Sequence, residues 1–282
     1  MKAEACAKLN LTLYVGNKRE DGFHSVSTVM QSVSLFDTVT VEKAEKITVE
    51  CDGGVPGGRD NICFKAAELF FENAGIFGGA RITVEKHIPS PGGLGGGSAD
   101  AAAVLLLLNK LYGEPVSFDK LISSAAALGS DVPFCLVGGT AKVQGRGEKV
   151  KAVKPLPECT VLIAKKGEKL STGEMYRLLD GDPDTVTDDG SFDMALRCGK
   201  LDDICRKMHN SFLRVAKTED YRAAEKVMQK NGALGVLLCG SGPSVFGVFD
   251  NGNVKNAEKE LESLGYKTFI CIPTEKSVKI IE

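Results

Sequence analysis

Apolar and polar residues alternate near the start of the chain, and this alternation predicts a β-strand from Cys6 to Val15. One face of that strand carries Leu9, Leu11, Leu13 and Val15, and the other carries Lys8, Asn10, Thr12 and Tyr14. A single lysine on the polar face of a strand is usually a solvated edge residue. Here Asn10 projects from the same face, which therefore carries both a cation and an amide.

The same analysis divides the rest of the chain into strands and helices. Strands are predicted at 26–35, 38–42, 47–50, 82–88, 140–143, 160–164, 236–238, 245–249 and 267–272. Helices are predicted at 61–73, 99–111, 119–128, 202–215, 220–230 and 254–264. Gly129 would close the third helix in a left-handed conformation, and Thr218 would cap the fifth.

The proline-containing segment 151–158 is the best candidate for a linker between domains. We therefore expect two domains, residues 1–154 and residues 155–282. The second half combines few strands with several helices, which is typical of a small α+β layer structure.

A glycine-rich loop lies between a predicted strand and a predicted helix. Residues 91–97 read Pro-Gly-Gly-Leu-Gly-Gly-Gly, and Ser98 follows. Such a loop can turn sharply and bring several backbone N–H groups onto one anion. The following helix adds unsatisfied N–H groups and the positive end of its dipole. This predicts a phosphate site, where Ser98 caps the helix, donates to a phosphate oxygen or lies near phosphate-bound Mg²⁺. The alternative is an ordinary surface turn.

Several nucleotide-binding motifs are missing from the sequence. There is no Gly-x₄-Gly-Lys-Ser/Thr, which excludes a Walker-type loop. The glycines do not match Gly-x-Gly-x-x-Gly, which argues against a dinucleotide-binding fold. The His-Arg-Asp and Asp-Phe-Gly motifs of protein kinases are also missing.

Three further segments carry candidate functional groups. Asp131 precedes Val-Pro and follows a predicted helix, and by itself it is best interpreted as a cap for the next turn. Residues 21–24 read Asp-Gly-Phe-His, where Phe23 and His24 are core or surface residues, or stack on and hydrogen-bond a base. The turn Cys239-Gly240-Ser241-Gly242 between two predicted strands is a weak signal on its own.

Composition narrows the functional classes. The 35 Lys and Arg residues nearly balance the 37 Asp and Glu residues, which argues against broad electrostatic capture of nucleic acid or anionic membrane. The first eight residues are typical of neither a signal peptide nor a transit peptide, and the apolar run 101–108 is far shorter than the ~20 residues of a spanning helix. Nine cysteines without a Cys-x-x-Cys pair fit reduced core residues, so we expect a cytoplasmic protein.

Together these segments resemble the GHMP small-molecule kinases. Three motifs occur in the family's usual order: Lys8-Leu9-Asn10-Leu11, residues 91–101 and residues 239–242. Residues 19–31, the triple glycine before Ser98 and residues 129–134 are most similar to members that phosphorylate the 2-hydroxyl of a cytidine-diphosphate-linked methylerythritol in isoprenoid biosynthesis. The resemblance implies an α+β chain with an N-terminal α/β domain, containing a left-handed β-α-β crossover, and a ferredoxin-like C-terminal domain.

The resemblance also implies roles for individual residues. Lys8 and Asp131 would act at the acceptor hydroxyl with Asn10 beside them, while Phe23 would stack on the cytosine and His24 would bond its edge. Gly240, Ser241 and Gly242 would close over the substrate, and Ser98 is the candidate ligand of Mg²⁺. ATP would be bound by Asn61, Lys86, Pro91, Gly92, Gly93, Leu94, Gly95, Gly96, Gly97, Ser98 and Ala99.

Three positions depart from the commonest family pattern. Phe23 stands where tyrosine is frequent, Ala99 where serine is frequent, and Cys239 where serine is usual. None of these changes removes a group that the chemistry requires. The alternatives are another GHMP enzyme, such as a mevalonate-pathway or homoserine kinase, an inactive sensor of the same fold, and an RNA-binding module. We expect a small-molecule substrate, no nucleic-acid or membrane partner, and a monomer or weak homodimer.

Overall fold

The computed structural model describes residues 1–20, 22–168, 171–182, 186–250 and 253–282. Asp21, the first residue of the segment 21–24 that contains Phe23 and His24, lies outside the described residues. The strands are β1 Lys2–Lys18, β2 His24–Ala44, β3 Thr48–Cys51, β4 Gly79–Glu85, β5 Thr140–Gly145, β6 Lys149–Ala152, β7 Thr160–Lys165, β8 His209–Asn210, β9 Gly235–Leu238, β10 Val245–Phe249, β11 Lys267–Cys271 and β12 Val278–Ile280. The helices are α1 Ile62–Ala74, α2 Gly96–Leu111, α3 Phe118–Ala125, α4 Val132–Val137, α5 Thr172–Asp180, α6 Ser191–Cys198, α7 Leu201–Arg206, α8 Glu219–Lys230 and α9 Val254–Ser263, with a 3₁₀ turn at Ser211–Arg214.

Two sheets organise the chain. The first has the order β12-β1-β2-β4-β3, with β5 paired to β2, β6 to β5 and β8 to β1. In this sheet β3 and β4 are parallel and are joined by α1, which forms a β-α-β unit. The second sheet has the order β11-β7-β10-β9, and its strand pairs are antiparallel. The predicted domain boundary at 154/155 falls between β6 and β7 and stays a prediction, while β8 and β12 from the second half pair with β1.

Strand β1 connects the three hydrophobic cores. Its first apolar residues pack with the Ala- and Leu-rich helix α2, which is buried along most of its length. Leu9 and Leu11 belong to a second core that includes Ile163 and Phe246 of the second sheet. Leu13 and Val15 join a third core with α8 and α9. Apolar side chains from other helices and strands cover β1 along its length, so β1 is an interior strand and not an edge strand.

The alternative interpretation of Lys8, as a solvated edge residue, is therefore wrong. Lys8 and Asn10 are only 4% and 1% exposed, since at these residues β1 pairs with β2 on one side and the glycine loop packs on the other, where the Lys8 N–H donates to the Leu94 carbonyl. The pairing of β1 with β2 is irregular on both sides of these two residues, between Cys6 and Lys8 and again between Asn10 and Thr12. Such irregularities change the direction of side chains on a strand and are common next to active sites.

The predicted helix 202–215 is also wrong, because α7 ends at Arg206 and the chain then enters β8. Asn210 explains the break. Its side-chain oxygen accepts a hydrogen bond from the Phe212 N–H (2.9 Å), and its Nδ2 donates to the carbonyls of Leu238 (2.9 Å) and Gly240 (2.8 Å). An asparagine that binds backbone in this way competes with the helix.

Two predicted helix ends differ from the structure. Helix α3 ends at Ala125, and Gly129 does not adopt the left-handed conformation; its carbonyl instead accepts from the Val132 N–H, which starts the next turn. Thr218 occupies the N-cap position of α8 but its side chain makes no capping bond. The acidic first turn of α8, Glu219 and Asp220, interacts favourably with the helix dipole instead.

In the described part of the chain, no helix is long and apolar enough to span a membrane.

Candidate active site

One cavity of about 780 Å³ lies between the glycine loop, β1, β2 and α5. This volume is in the range of small-molecule sites. The predicted site residues that line it are Lys8, Asn10, Phe23, His24, Pro91, Gly92, Gly93, Leu94, Gly95, Gly96, Gly97, Ser98, Asp131, Gly240 and Ser241. Segments separated by more than 200 residues along the chain therefore meet at a single site.

A lysine, an amide and a carboxylate form the polar centre of this cavity. Lys8 Nζ donates a hydrogen bond to Asn10 Oδ1 (2.8 Å) and lies 3.3 Å from Asp131 Oδ2. Asn10 Nδ2 in turn donates to Thr28 Oγ1 on the neighbouring strand (2.9 Å). The Lys8 side chain is 5% exposed and that of Asp131 29% exposed. Asn10 thus fixes the ammonium group, and the carboxylate faces both the ammonium and the cavity.

The interpretation of Asp131 as a helix cap is wrong. Asp131 does stand at the N-cap position of α4, but its side chain makes no capping hydrogen bond. Pro133 near the start of this short helix has no N–H to offer, which reduces what a cap could satisfy. The carboxylate instead pairs with Lys8 across the cavity.

The glycine loop is held closely against β1 and the turn at 239–243. The Lys8 N–H donates to the Leu94 carbonyl (2.9 Å), which joins the loop to the strand that carries the lysine. Gly93 has φ +75°, and a Cβ there would collide with the Cys239 carbonyl oxygen. Glycine is therefore required at this position, because both the backbone conformation and the contact forbid a side chain.

Helix α2 begins inside the glycine loop, three residues earlier than predicted. Its N-cap is Gly95, in the left-handed conformation (φ 71°) and without a side chain that could cap the helix. Gly96, Gly97 and Ser98 form the first turn, and all three line the cavity. The N-terminal N–H groups and the positive end of the dipole of this 16-residue helix thus lie at the cavity wall, an arrangement that favours an anion.

Aromatic and polar residues form the other end of the cavity. The His24 ring stacks on Tyr176 (4.8 Å between centroids, 18° between planes), and its Nε2 lies 2.7 Å from Asp180 Oδ1. Phe23 is 49% exposed, and the Arg146 guanidinium carbon lies 3.7 Å from its ring centroid. Burial raises the pKa of Tyr176 to about 12, and the negative charge of Asp131 adds to this effect.

Four predicted ATP or substrate residues do not line the cavity: Asn61, Lys86, Ala99 and Gly242. Asn61 caps α1, accepting from the Cys63 N–H (2.8 Å) and donating to the Pro56 carbonyl (2.8 Å). Ala99 is buried inside α2, and Gly242 packs against Leu238. Their roles in ligand binding stay predictions.

Lys86 lies in a buried cluster with two carboxylates. Its ammonium group pairs with Asp37 and, at 2.6 Å, with Asp100 of α2. Asp37 also accepts from the N–H groups of His87 (2.6 Å) and Ile88 (2.8 Å). Burial raises the pKa of Asp100 to about 7, and the positive charge of Lys86 offsets this only in part. Burial by itself lowers the pKa of Lys86, but the two carboxylates outweigh it and the net direction is upward.

Sequence analysis missed Thr28, Arg146, Tyr176 and Asp180 as site residues. Tyr176 and Asp180 are one helical turn apart on α5, so they share a face. Ser171 and Glu174 form a capping box at the start of this helix, and that motif is visible in the sequence. It could have predicted α5. Arg146 lies between two glycines, Gly145 and Gly147, in the segment that follows Asp131, but that pattern gives no role to its side chain, and nothing local distinguishes Thr28.

Comparison with known families matches both halves of the chain. Residues 61–139 match the GHMP kinases N terminal domain, and residues 195–267 match the GHMP kinases C terminal domain. A protein of Caldicellulosiruptor bescii named 4-diphosphocytidyl-2-C-methyl-D-erythritol kinase is 41% identical over 277 residues, covering 96% of this chain and 95% of its own length. The chain belongs to the GHMP kinase family.

Further relatives agree with this assignment. The protein of the same name from Desulfitobacterium hafniense is 38% identical and covers 86% of this chain and 85% of its own length. A crystal structure of 4-(cytidine 5'-diphospho)-2C-methyl-D-erythritol kinase superposes with a TM-score of 0.78 at 33% identity, covering 97% of this chain and 99% of that one. A mevalonate kinase structure has a TM-score of 0.76 at only 16% identity, covering 97% and 99%, and it shows the fold alone. The predicted two-domain GHMP kinase fold with mixed helices and strands is thus confirmed.

Proposed function

We propose that this kinase transfers the γ-phosphate of ATP to the 2-hydroxyl of 4-diphosphocytidyl-2-C-methyl-D-erythritol. The observation that carries the proposal is the arrangement of one cavity. Lys8, Asn10 and Asp131 meet beside an uncapped helix N-terminus, and an aromatic–histidine wall with Phe23 and His24 lies at the opposite end. The relatives with 41% and 38% identity carry the name of this activity.

The polar centre suits phosphoryl transfer to an alcohol. Such a reaction requires mainly positioning and stabilisation of charge from the protein. An aspartate carboxylate is a weak base toward a free alcohol, so the proton moves late, as the new O–P bond forms. Asp131 orients the hydroxyl and accepts this proton. Lys8 lies 3.3 Å away and stabilises negative charge on the attacking oxygen, while Asn10 holds Lys8 in place.

The glycine loop and the first turn of α2 bind the phosphates of ATP. Their N–H groups require no side-chain movement to meet the charge that develops on the transferred group. A Mg²⁺ ion fits beside the glycine loop, since the Ser98 hydroxyl lines the cavity there and Mg²⁺ otherwise takes phosphate oxygens and water. When bound, it would neutralise phosphate charge, with Ser98 as its protein ligand.

The aromatic end recognises the cytosine. Phe23 offers a ring face for stacking. Asp180 Oδ1 lies 2.7 Å from His24 Nε2, so the second ring nitrogen of His24, Nδ1, is the one available to the hydrogen-bonding edge of cytosine. Tyr176 stacks on the His24 ring and fixes its plane.

An ADP-release assay with a panel of acceptors tests the proposed function. The purified protein with ATP and Mg²⁺ is expected to release ADP with 4-diphosphocytidyl-2-C-methyl-D-erythritol, and phosphorus NMR is expected to show one new phosphomonoester on the 2-oxygen. Mevalonate and homoserine at the same concentration should give background rates. Faster turnover of mevalonate or homoserine would overturn the proposed function and assign the chain to another branch of the family.

A further inference from the structure

The backbone partner of β1 changes at the residues that lead to Lys8. Strand β12 pairs with β1 only at Ala3–Ala5. The Cys6 N–H then donates to the Ser277 carbonyl (2.7 Å), and the Lys8 N–H donates to the Leu94 carbonyl (2.9 Å). On the other side of β1, the pairing with β2 is irregular between Cys6 and Lys8. Ser277 therefore holds β1 two residues before Lys8, at the start of this irregular step.

Ser277 also contacts α4, the helix that has Asp131 at its N-cap. Gly138 ends this helix with φ +73°, and a Cβ there would collide with the Ser277 nitrogen. Burial raises the pKa of the Cys135 thiol in the middle of α4, and the Ser277 side chain beside it offsets part of this effect. Because α4 has only six residues, contacts at Cys135 and Gly138 limit how far Asp131 can shift.

The hydroxyl of Ser277 fixes the contact with β1. Ser277 is 1% exposed and does not line the cavity. Its Oγ donates to the Cys6 carbonyl (3.4 Å), while its own carbonyl accepts from the Cys6 N–H, so both backbone groups of Cys6 are bound by one serine. A buried hydroxyl that loses its hydrogen bond destabilises the folded state, which opposes any displacement of this side chain. Ser277 is thus a fixed spacer between β1 and α4.

The two elements that this spacer joins carry the two charged groups of the polar centre. Lys8 is on β1, and Asp131 begins α4, with 3.3 Å between the ammonium nitrogen and the carboxylate oxygen. Both must face the same acceptor oxygen, and a misplacement of about 1 Å can lower a rate by about 10²-fold. We propose that Ser277 is a positioning residue that sets the distance between Lys8 and Asp131. This proposal rests on the proposed function, in which both groups act at the acceptor hydroxyl.

Steady-state kinetics of Ser277 variants tests this role. Ser277→Ala should lower kcat about fivefold, the effect of one net hydrogen bond. The KM values for ATP and for the acceptor should stay within twofold, because Ser277 lines no part of the cavity. Threonine and valine have the same shape and differ by the hydroxyl, so Ser277→Thr should turn over about fivefold faster than Ser277→Val. Ser124→Ala is the matched control with an unchanged kcat, because the Ser124 hydroxyl joins α1 to α3 by accepting from Asn73 Nδ2 (3.0 Å) and lies outside the cavity.

Repeating Ser277→Ala in the Asp131→Asn background separates positioning from a merely structural role. If Ser277 acts by placing Asp131 against Lys8, the second substitution should lower the remaining kcat less than twofold, because the spacing it sets has lost its carboxylate. A structural role would give the same fivefold loss in both backgrounds. Melting temperatures of all variants show that they are folded under the assay conditions.

Contrary results overturn the proposal in distinguishable ways. An equal loss of kcat in both backgrounds would show that Ser277 does not act through Asp131. Equal turnover by Ser277→Thr and Ser277→Val would show that the hydroxyl sets no distance, and a rise of both KM values would indicate a general loosening of the site. An active parent with unaffected variants overturns this proposal alone. A parent that releases no ADP with the cytidine-linked acceptor refutes the proposed function, and the role of Ser277 fails with it.

Discussion

Replacing Asp131 with asparagine separates the charge of this side chain from its shape. Asparagine has nearly the same volume and keeps an oxygen that can face Lys8, but it neither accepts the hydroxyl proton nor carries a charge. Two unit charges 3.3 Å apart attract by about 5 kcal/mol at an effective dielectric constant of 20, and the 29% exposure of Asp131 reduces this further. Only a fraction of this attraction energy stabilises the transition state relative to the bound substrate.

A general base contributes typically 10²–10⁴-fold to a rate. We therefore expect Asp131→Asn to lower kcat by about 10²-fold or more, which corresponds to about 2.7 kcal/mol of transition-state stabilisation. The KM for ATP should change little, because the phosphate-binding N–H groups belong to the glycine loop and α2. Steady-state ADP release at saturating acceptor measures kcat, and titration with an ATP analogue measures nucleotide affinity.

A double variant gives the sharper test. If Asp131 and Lys8 act as one unit on the acceptor oxygen, then Lys8→Met should also lose about 10²-fold, and the double variant should lose little more than the larger single loss. Thermal unfolding of all three variants controls for stability, because Lys8 is buried and its neutralisation changes packing as well as charge. A kcat for Asp131→Asn within threefold of the parent would refute the assignment, and so would full additivity of the two losses.

Three further predictions concern the base, the buried cluster and the loop. Phe23→Ala should raise the KM for the cytidine-linked acceptor about tenfold without changing the KM for ATP, in initial-rate measurements with each substrate varied, because it removes a stacking surface. Burial raises the pKa of Asp100 to about 7 from 3.8, so the folded state binds more protons between these pH values and the stability of the parent falls as pH rises through that window. In Asp100→Asn, the melting temperature should lose this decline between pH 4.5 and 7. Gly93→Ala should lower the melting temperature by several degrees through its collision with the Cys239 carbonyl, whereas Gly97→Ala should not, because its Cβ would make an ordinary 3.6 Å contact with Ile62.

Each of these predictions has an outcome that contradicts it. Equal increases of both KM values in Phe23→Ala would indicate misfolding and not the loss of a base platform. A parallel pH dependence of parent and Asp100→Asn would place the proton on another group. Equal melting temperatures for Gly93→Ala and Gly97→Ala would show that the glycine loop tolerates a side chain at Gly93, contrary to its packing on the 239–243 turn.

Local patterns predicted most regular elements because each pattern arises from nearby residues. The Ala- and Leu-rich run at 99–111 is buried on nearly all sides as α2, and the helix predicted at 61–73 is α1, Ile62–Ala74. Local patterns gave wrong predictions where contacts with residues distant along the chain determine the secondary structure. Asn210 binds the carbonyls of residues 238 and 240, and these contacts end the predicted helix. The partner is 28 residues away, so no window around Asn210 contains it.

The candidate site divides in the same way. The glycine loop is visible in sequence because its conformation requires glycine, but Lys8 and Asp131 are ambiguous until folding brings them together. Alternation alone indicated a solvated lysine, and helix-cap preference alone indicated a capping aspartate. Both interpretations are wrong because of one tertiary contact, the ion pair between Lys8 on β1 and Asp131 at the start of α4. The family resemblance placed Lys8 and Asp131 side by side, and the two side chains do lie 3.3 Å apart; their action on the acceptor hydroxyl stays a prediction.

The buried cluster of Lys86, Asp37 and Asp100 gives the glycine loop its fixed ends. Lys86 and the N–H groups of residues 87 and 88 precede the glycine loop, and Asp100 follows it. Asp37 on β2 binds all three groups before the loop, and Lys86 also pairs with Asp100, so the two ends of the loop are joined. Buried ion pairs are seldom more stabilising than apolar side chains of the same volume, because desolvation offsets their attraction. Buried ion pairs do fix the orientation of the groups that they join, because each carboxylate oxygen accepts hydrogen bonds only from certain directions. An apolar replacement would fill the same space and leave the start of α2 free to shift. The chain therefore keeps three ionisable side chains in its interior where the backbone must present its N–H groups to a phosphate.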